Sequence, residues 1–189
     1  KMVSVASDKN RGITDKLPWI VSALGAFLLV VAFFLPYATG TDEYKERIAA
    51  NIDGVSIESI GMTNADAADA SMMEYTRVYM SAEMLGASEF YLIYVPLMAG
   101  LFVCALLALL FSVLRKPIPV MVFSVFTLGL SLLINWDFED RGVVPSSLYD
   151  WGVAKWVYIA AAAIAIAGAV WLLVVKVKEK RALKAGGVR

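Results

Sequence analysis

The side chains available for chemistry are few. The sequence contains no histidine, which removes Ser–His and Cys–His activation of a nucleophile, imidazole general-base chemistry and most zinc designs. Its one cysteine, Cys104, falls in the middle of an apolar run, where a thiol stays protonated and inert. Carboxylate pairs such as Asp42/Glu43 and Glu139/Asp140 are adjacent in sequence and read as solvated acids. The run Asp137-Phe138-Glu139-Asp140-Arg141-Gly142 invites a calcium reading, with Gly142 at the sixth position of an EF-hand count. The fifth position is Arg141, however, and the twelfth is Leu148, where a bidentate Glu is needed. The EF-hand fails, which leaves only adventitious binding of a divalent cation by this acidic rim. No catalytic, cofactor-binding or metal-ligating residue is nominated, and a non-enzymatic protein is expected.

Polar groups inside apolar runs carry the next signal. Ser124, Thr127, Ser131 and Asn135 are spaced by 3, 4 and 4 residues, within an arc of about 80° on a helix. In lipid such groups seek partners, so this face is expected to point into a bundle as interhelical glue, worth about 0.6 kcal/mol per contact. The alternative is a polar lining for a small solute or ion. No intramembrane carboxylate or deep basic residue accompanies the stripe, which weighs against a proton-driven carrier. In the last apolar run, Ala161, Ala165 and Ala169 form a small-xxx-small row that suits close helix packing, within the chain or in self-association.

The elements that position these groups follow from hydropathy. The chain has 189 residues, 60% of them hydrophobic, with a mean hydropathy of +0.70, too apolar for an ordinary soluble domain. A hydrocarbon core needs about 20 apolar residues as helix. Four runs meet that length, at about 17–37, 90–114, 118–136 and 153–175. Leu17 to Tyr37 is longer than a typical signal h-region and Pro36-Tyr37-Ala38 matches a cleavage site poorly, so a retained signal-anchor is expected.

Charge orients the runs. The formal net charge is zero, yet segment 1–16 carries +2, the connection Arg115-Lys116 +2 and the tail from Lys176 +5. Segment 37–90 sets ten acids against Lys45, Arg47 and Arg77, a net of −7, and 137–150 carries −3. Lys and Arg are retained on the cytoplasmic side, so both termini are expected to be cytoplasmic, in a multi-pass protein of the plasma membrane. A single cysteine and the lack of any Asn-x-Ser/Thr sequon point to a bacterial membrane. The basic tail is explained by this retention, although it also suits anionic lipid headgroups.

Segment 38–89 is the one extramembrane unit of any size. Glu43 to Ile52 supplies helix formers before Asp53-Gly54, and Val55 to Ile60 alternates as one extended stretch. Thr63-Asn64-Ala65-Asp66 offers a capping-box-like entry to a helix running to Leu85 and closed by Gly86. Met72, Tyr75 and Tyr79 fall on one flank of that helix, with Met73, Met80 and Met84 turned by about 100°. This helix either packs on the ends of the spans or offers an adaptable Met/Tyr surface to a partner. Between the last two spans lies the short loop Asp137 to Asp150, flanked by Trp136 and Trp151.

A large first outer loop and a small second one in a four-span chain resemble the plan of claudin-type tetraspan proteins. Their first-loop Trp/Gly-Leu-Trp/Cys/Cys signature has no counterpart here, since 38–89 holds neither Trp nor Cys. The expected fold is therefore an all-α membrane protein of four transmembrane helices with a mostly helical extracytoplasmic insertion between spans one and two. The expected function is an accessory, receptor-like or scaffolding component that presents an acidic outer domain to a protein partner. Met72, Tyr75, Tyr79, Met80, Trp136, Phe138 and Trp151 are its candidate contacts. A channel or transporter subunit lined by the polar stripe and completed as a homo-oligomer is the alternative, and a membrane-embedded enzyme the third. Membrane lipid is an expected partner; nucleic acid is not, because no binding module is present.

Overall fold

A computed structural model of the protein describes residues 16–82 and 88–186. The chain is mostly helical. Its elements are α1 (Leu17–Ala32), β1 (Ala38–Gly40), α2 (Asp42–Ile48), β2 (Val55–Ile57), β3 (Met62–Thr63), α3 (Asn64–Ala68), α4 (Met72–Ala82), α5 (Ser88–Val113), α6 (Pro117–Asp140), β4 (Tyr149–Trp151) and α7 (Val153–Gly186). Single 3-10 turns follow α2 and β2. Three helices are long and apolar enough to cross a membrane, over Tyr91–Val113, Pro117–Asp140 and Val153–Lys184, consistent with a multi-pass membrane protein.

The first apolar run is shorter as a helix than its hydropathy suggests. It is helical for 16 residues, to Ala32. Phe33, Phe34 and Leu35 then donate to carbonyls three residues back, and Leu35 precedes a proline, which disfavours the α region. α1 crosses α7 with backbones almost touching. A Cβ on Gly25 would lie 2.3 Å from the Ala165 nitrogen, and one on Gly168 2.3 Å from the Ser22 nitrogen.

Other boundaries also move. α6 does not stop at Trp136 but runs one further turn to Asp140. There Gly142, at φ 64°, takes the left-handed conformation, and the Val143 N–H closes on the Phe138 carbonyl at 2.8 Å. The long helix expected from Thr63 to Leu85 is two helices. The Thr63/Asp66 capping box is present, but α3 ends at Ala68 and Ser71 starts α4 with a second box. Ser71 Oγ accepts from the Met73 and Glu74 N–H groups, and Glu74 accepts from the Ser71 N–H at 2.9 Å. The expected closure at Leu85-Gly86, and Met84 with it, lie outside the described residues. Only Val55–Ile57 of the stretch 55–60 is extended: as β2 it pairs with β3, Val55 opposite Thr63, while Glu58–Ile60 is a 3-10 turn. The basic tail continues α7 as helix to Gly186.

One junction fastens the 38–82 insertion to the helices. β1 pairs antiparallel with β4, Ala38 opposite Trp151 and Gly40 opposite Tyr149. The N–H groups of Tyr37 and Ala38 both donate to the Ala70 carbonyl, at 2.9 and 3.0 Å, while Gly152 donates to the Tyr37 carbonyl at 2.8 Å. A Cβ on Gly152 would meet the Pro36 carbonyl oxygen at 2.2 Å, so only glycine admits this approach. One apolar core runs through the junction, from Ala105 and Leu101 through Met98, Tyr37 and Met72 to Phe138 and Val144. A smaller core of Met62, Ala67 and Ala70 lies inside the insertion.

Candidate functional site

The insertion and the adjoining ends of the long helices carry most of the chain's polar detail, in three layers. Nearest the helices is a clamp around Arg141. Its guanidinium donates twice to Asp137 Oδ2, at 2.9 and 2.6 Å, and once to the Tyr79 hydroxyl at 3.0 Å. It also lies over the Tyr94 ring, 4.3 Å from the centroid. Tyr94 stacks on Tyr79 at 4.7 Å and donates its hydroxyl to Asp137 Oδ1 at 2.9 Å. Three helices, α4, α5 and α6, are thus locked by a pair whose side chains keep only 25% and 22% of their exposure. Burial alone would lower the Arg141 pKa, but the hydrogen bonds it donates to Asp137 and Tyr79 outweigh it and raise the value. Burial raises Tyr75 and Tyr79 above the ordinary phenol value, although Arg141 pulls Tyr79 partly back. Both hydroxyls are therefore protonated at neutral pH.

Above the clamp lies a cavity of about 260 Å³ between the β2–β3 hairpin, α3, α4 and the loop after α6. Ile57, Met62 and Val78 give it an apolar floor, and Tyr44, Tyr75 and Tyr149 add ring faces. Burial, with the hydrogen bond from Tyr44, raises the Tyr149 pKa. Such a cavity can hold a small apolar group.

The third layer is the tip around Ile52-Asp53-Gly54-Val55. Its backbone is pinned, since Asn64 donates to the Gly54 carbonyl at 2.8 Å and Ala65 to that of Ile52 at 3.0 Å. Yet Val55 is 63% and Ile52 40% exposed. Asp42, Glu46, Asp53 and Glu58 are exposed nearby in sequence. Glu43 pairs with Arg47 and Asp69 with Lys45, but Asp42, Glu46, Asp53 and Glu58 have no cationic partner among the described residues. This tip was not singled out by sequence. The exposed β-branched Val55 beside Asp53-Gly54 was its available signal.

The candidate contacts separate. Met72 and Phe138 are fully buried in the core at the junction, which leaves them no surface for a partner. Tyr75 and Tyr79 are part-buried, Tyr75 tilted against Phe138 at 4.9 Å. Trp151 is half-buried against Tyr37, with the Lys155 ammonium 3.8 Å from its ring centroid. Met80 and Trp136 are open, at 53% and 65% exposure. Arg141 and Tyr94, which sequence reading passed over, complete the clamp.

All four residues of the polar stripe are buried. Asn135 Oδ1 accepts from the Tyr37 hydroxyl, and Thr127 Oγ1 donates to the Phe123 carbonyl of its own helix at 2.8 Å. The hydroxyls of Ser124, Ser131 and Tyr158 are buried and find no partner among the described residues. Ala161, Ala165 and Ala169 are fully buried, and the backbones of Ala161 and Ala165 face Gly25 of α1. Asp137, first in the calcium count, is helical and neutralised by Arg141. No group of three acids and Cys residues able to hold a metal occurs among the described residues.

No family model, curated protein or solved structure matches this chain.

Proposed function

We propose that this chain is a non-enzymatic, four-span protein of a bacterial plasma membrane, with both termini cytoplasmic, whose acidic outer domain receives a protein partner. α1 serves as the fourth span, its 16 helical residues extended by the turn to Pro36. The observation that carries the reading is the tip. Its apolar side chains are exposed, with the unpaired acids Asp53 and Glu58 close to them in sequence, while its backbone is fixed and its base is fastened to the helices through β1–β4 and the Arg141 clamp. Exposed apolar residues on a pinned backbone lose little entropy on docking, and the surrounding acids select a cationic surface. Met80 is a further contact on the same domain, and Trp136 sits where an interfacial tryptophan anchors a span. Site-specific photo-crosslinking from Val55 in the source membrane tests the reading. It expects a discrete protein adduct that weakens with salt.

A second reading is supported by the stripe. Ser124, Ser131 and Tyr158 present unpartnered hydroxyls between α6 and α7, the kind of group that water or a small polar solute satisfies. In that case the chain is a channel or transporter subunit. Replacing Ser124, Thr127 and Ser131 with Ala should then abolish solute flux in liposomes, and unchanged flux would remove this alternative.

A further inference from the structure

At the end of the helices opposite the insertion, three basic segments far apart in sequence meet around one cavity. Lys16 precedes α1, Arg115 lies in the turn between α5 and α6, and Lys176 is on α7. With Trp19, Leu172 and Glu179 they line a cavity of about 320 Å³. Two of the cations, Arg115 and Lys176, are held in place. Arg115 adopts φ 56°, a left-handed conformation rare for a side chain of this kind. Its carbonyl accepts from Lys176 Nζ, and its guanidinium lies 4.6 Å from the centroid of the Trp19 ring. Trp19 is fixed in turn by its indole N–H, which donates to the Ser112 carbonyl at 2.9 Å.

Among the described residues, none of Lys16, Arg115 and Lys176 pairs with a carboxylate. Three cations against the single acid Glu179 leave the lining net positive, which fits an anion, and a guanidinium with two ammonium groups suits a phosphate in particular. A second cavity, of about 330 Å³, shares Arg115 and Lys176 and continues along Pro117, Ile118, Pro119 and Leu173. That floor is apolar and belongs to helices able to cross a membrane. A free phosphate has no use for it; an acyl chain does.

We propose that these joined cavities bind one anionic phospholipid, its phosphate held by Arg115, Lys176 and Lys16 and a chain laid along Ile118, Pro119 and Leu173. The site differs from diffuse attraction to the tail, because Lys178, Lys180 and Arg181 of α7 line neither cavity. It depends on the membrane placement of the helices and is independent of the outer-face reading.

Native mass spectrometry of the full chain, with phosphatidylglycerol or phosphatidylcholine added in mild detergent, tests it. Phosphatidylglycerol adducts should persist over phosphatidylcholine adducts. Lys16→Gln and Lys176→Gln should each weaken retention about 5-fold, the effect of one cation at a lipid surface. Lys178→Gln and Lys180→Gln should leave it unchanged. Glu179→Gln removes the one acid lining the cavity and should strengthen retention, a gain that misfolding cannot imitate. Equal losses in the Lys178 and Lys180 variants, equal retention of the two lipids, or inorganic phosphate adducts retained as well as phosphatidylglycerol would each overturn the proposal. A Lys176→Gln protein that still crosslinks from Val55 would separate this outcome from any failure of the outer-face reading.

Discussion

The close approach of α1 and α7 gives a prediction whose sign can be worked out in advance. A methyl group on Gly25 would lie 2.3 and 2.7 Å from the Ala165 N and Cα and 2.8 Å from the Ala161 oxygen. One on Gly168 would lie 2.3 and 2.7 Å from the Ser22 N and Cα. These are backbone atoms and cannot rotate aside. Ordinary contact needs about 3.5 Å, so the helices must part by about 1 Å, and overpacking of this kind costs about 1–3 kcal/mol. Alanine recovers up to about 1 kcal/mol as the better helix former, so Gly25→Ala and Gly168→Ala should each destabilise by about 1–2 kcal/mol. Gly129, on α6, has nothing within 4 Å of its would-be Cβ. Gly129→Ala should therefore show the gain alone. The two seam sites are one turn apart on each helix, so one separation relieves both clashes. The double variant should cost less than the two singles together, by about 1 kcal/mol. Denaturant titration in detergent, followed by tryptophan fluorescence, measures all four proteins. If Gly25→Ala and Gly168→Ala stabilise as Gly129→Ala does, the backbones are not in contact and the packing described for Ala161, Ala165 and Ala169 is wrong.

Three further perturbations address the insertion and its base. Arg141→Gln strands Asp137 and the Tyr79 hydroxyl in a setting that keeps about a quarter of the pair's exposure; the loss should be about 1–3 kcal/mol, and adding Asp137→Asn should restore part of it in the same titration. Ser71→Ala removes the cap of α4 and should cost about 1 kcal/mol, read as faster hydrogen exchange at Met73 and Glu74; unchanged exchange there would refute the cap. Asp66 has its carboxyl pKa held below the ordinary 3.8 by the Thr63 backbone N–H and then by the Thr63 hydroxyl. Because the folded value is the lower one, its contribution is complete above 3.8 and is lost as pH falls through the folded value. Asp66→Asn should flatten the acid limb of a melting-temperature profile below about pH 4, and an unchanged limb would exclude this source.

Sequence reading succeeded where one segment carried its own signal. Hydropathy located α5, α6 and α7, and the Thr63/Asp66 box marked a true helix start. It failed where the signal was split between segments or masked by a stronger one. Ser71-Met72-Met73-Glu74 is as good a capping box as the first, but the helical pattern ran through it, and the tight turn that delivers the Ala70 carbonyl to Tyr37 and Ala38 has no local mark. β1 and β4 are three residues each, too short for periodicity to register. Asp137 to Asp140 read as a loop because three of its four residues are acids; Arg141 neutralises the first and lets the helix continue. The Met72/Tyr75/Tyr79 flank was visible, but a stripe of this kind does not say whether it meets a partner or its own chain. Here Phe138 and the core at the junction cover it, which moves the candidate contact surface to Ile52 and Val55. The basic cavity was beyond reach for a simpler reason, since Lys16, Arg115 and Lys176 become neighbours only when three helices close together.

Docking at the tip can be tested directly. A photoreactive residue at Val55, activated in the source membrane, should give one discrete protein adduct that is lost when Asp53 and Glu58 are replaced by Lys and that survives the same charge change at Asp150. A matching probe at Ile118, on the apolar floor of the basic cavity, should give no such adduct. Adducts that are the same from both probes, or a Val55 adduct indifferent to the sign of charge at Asp53 and Glu58, would contradict an acidic docking surface.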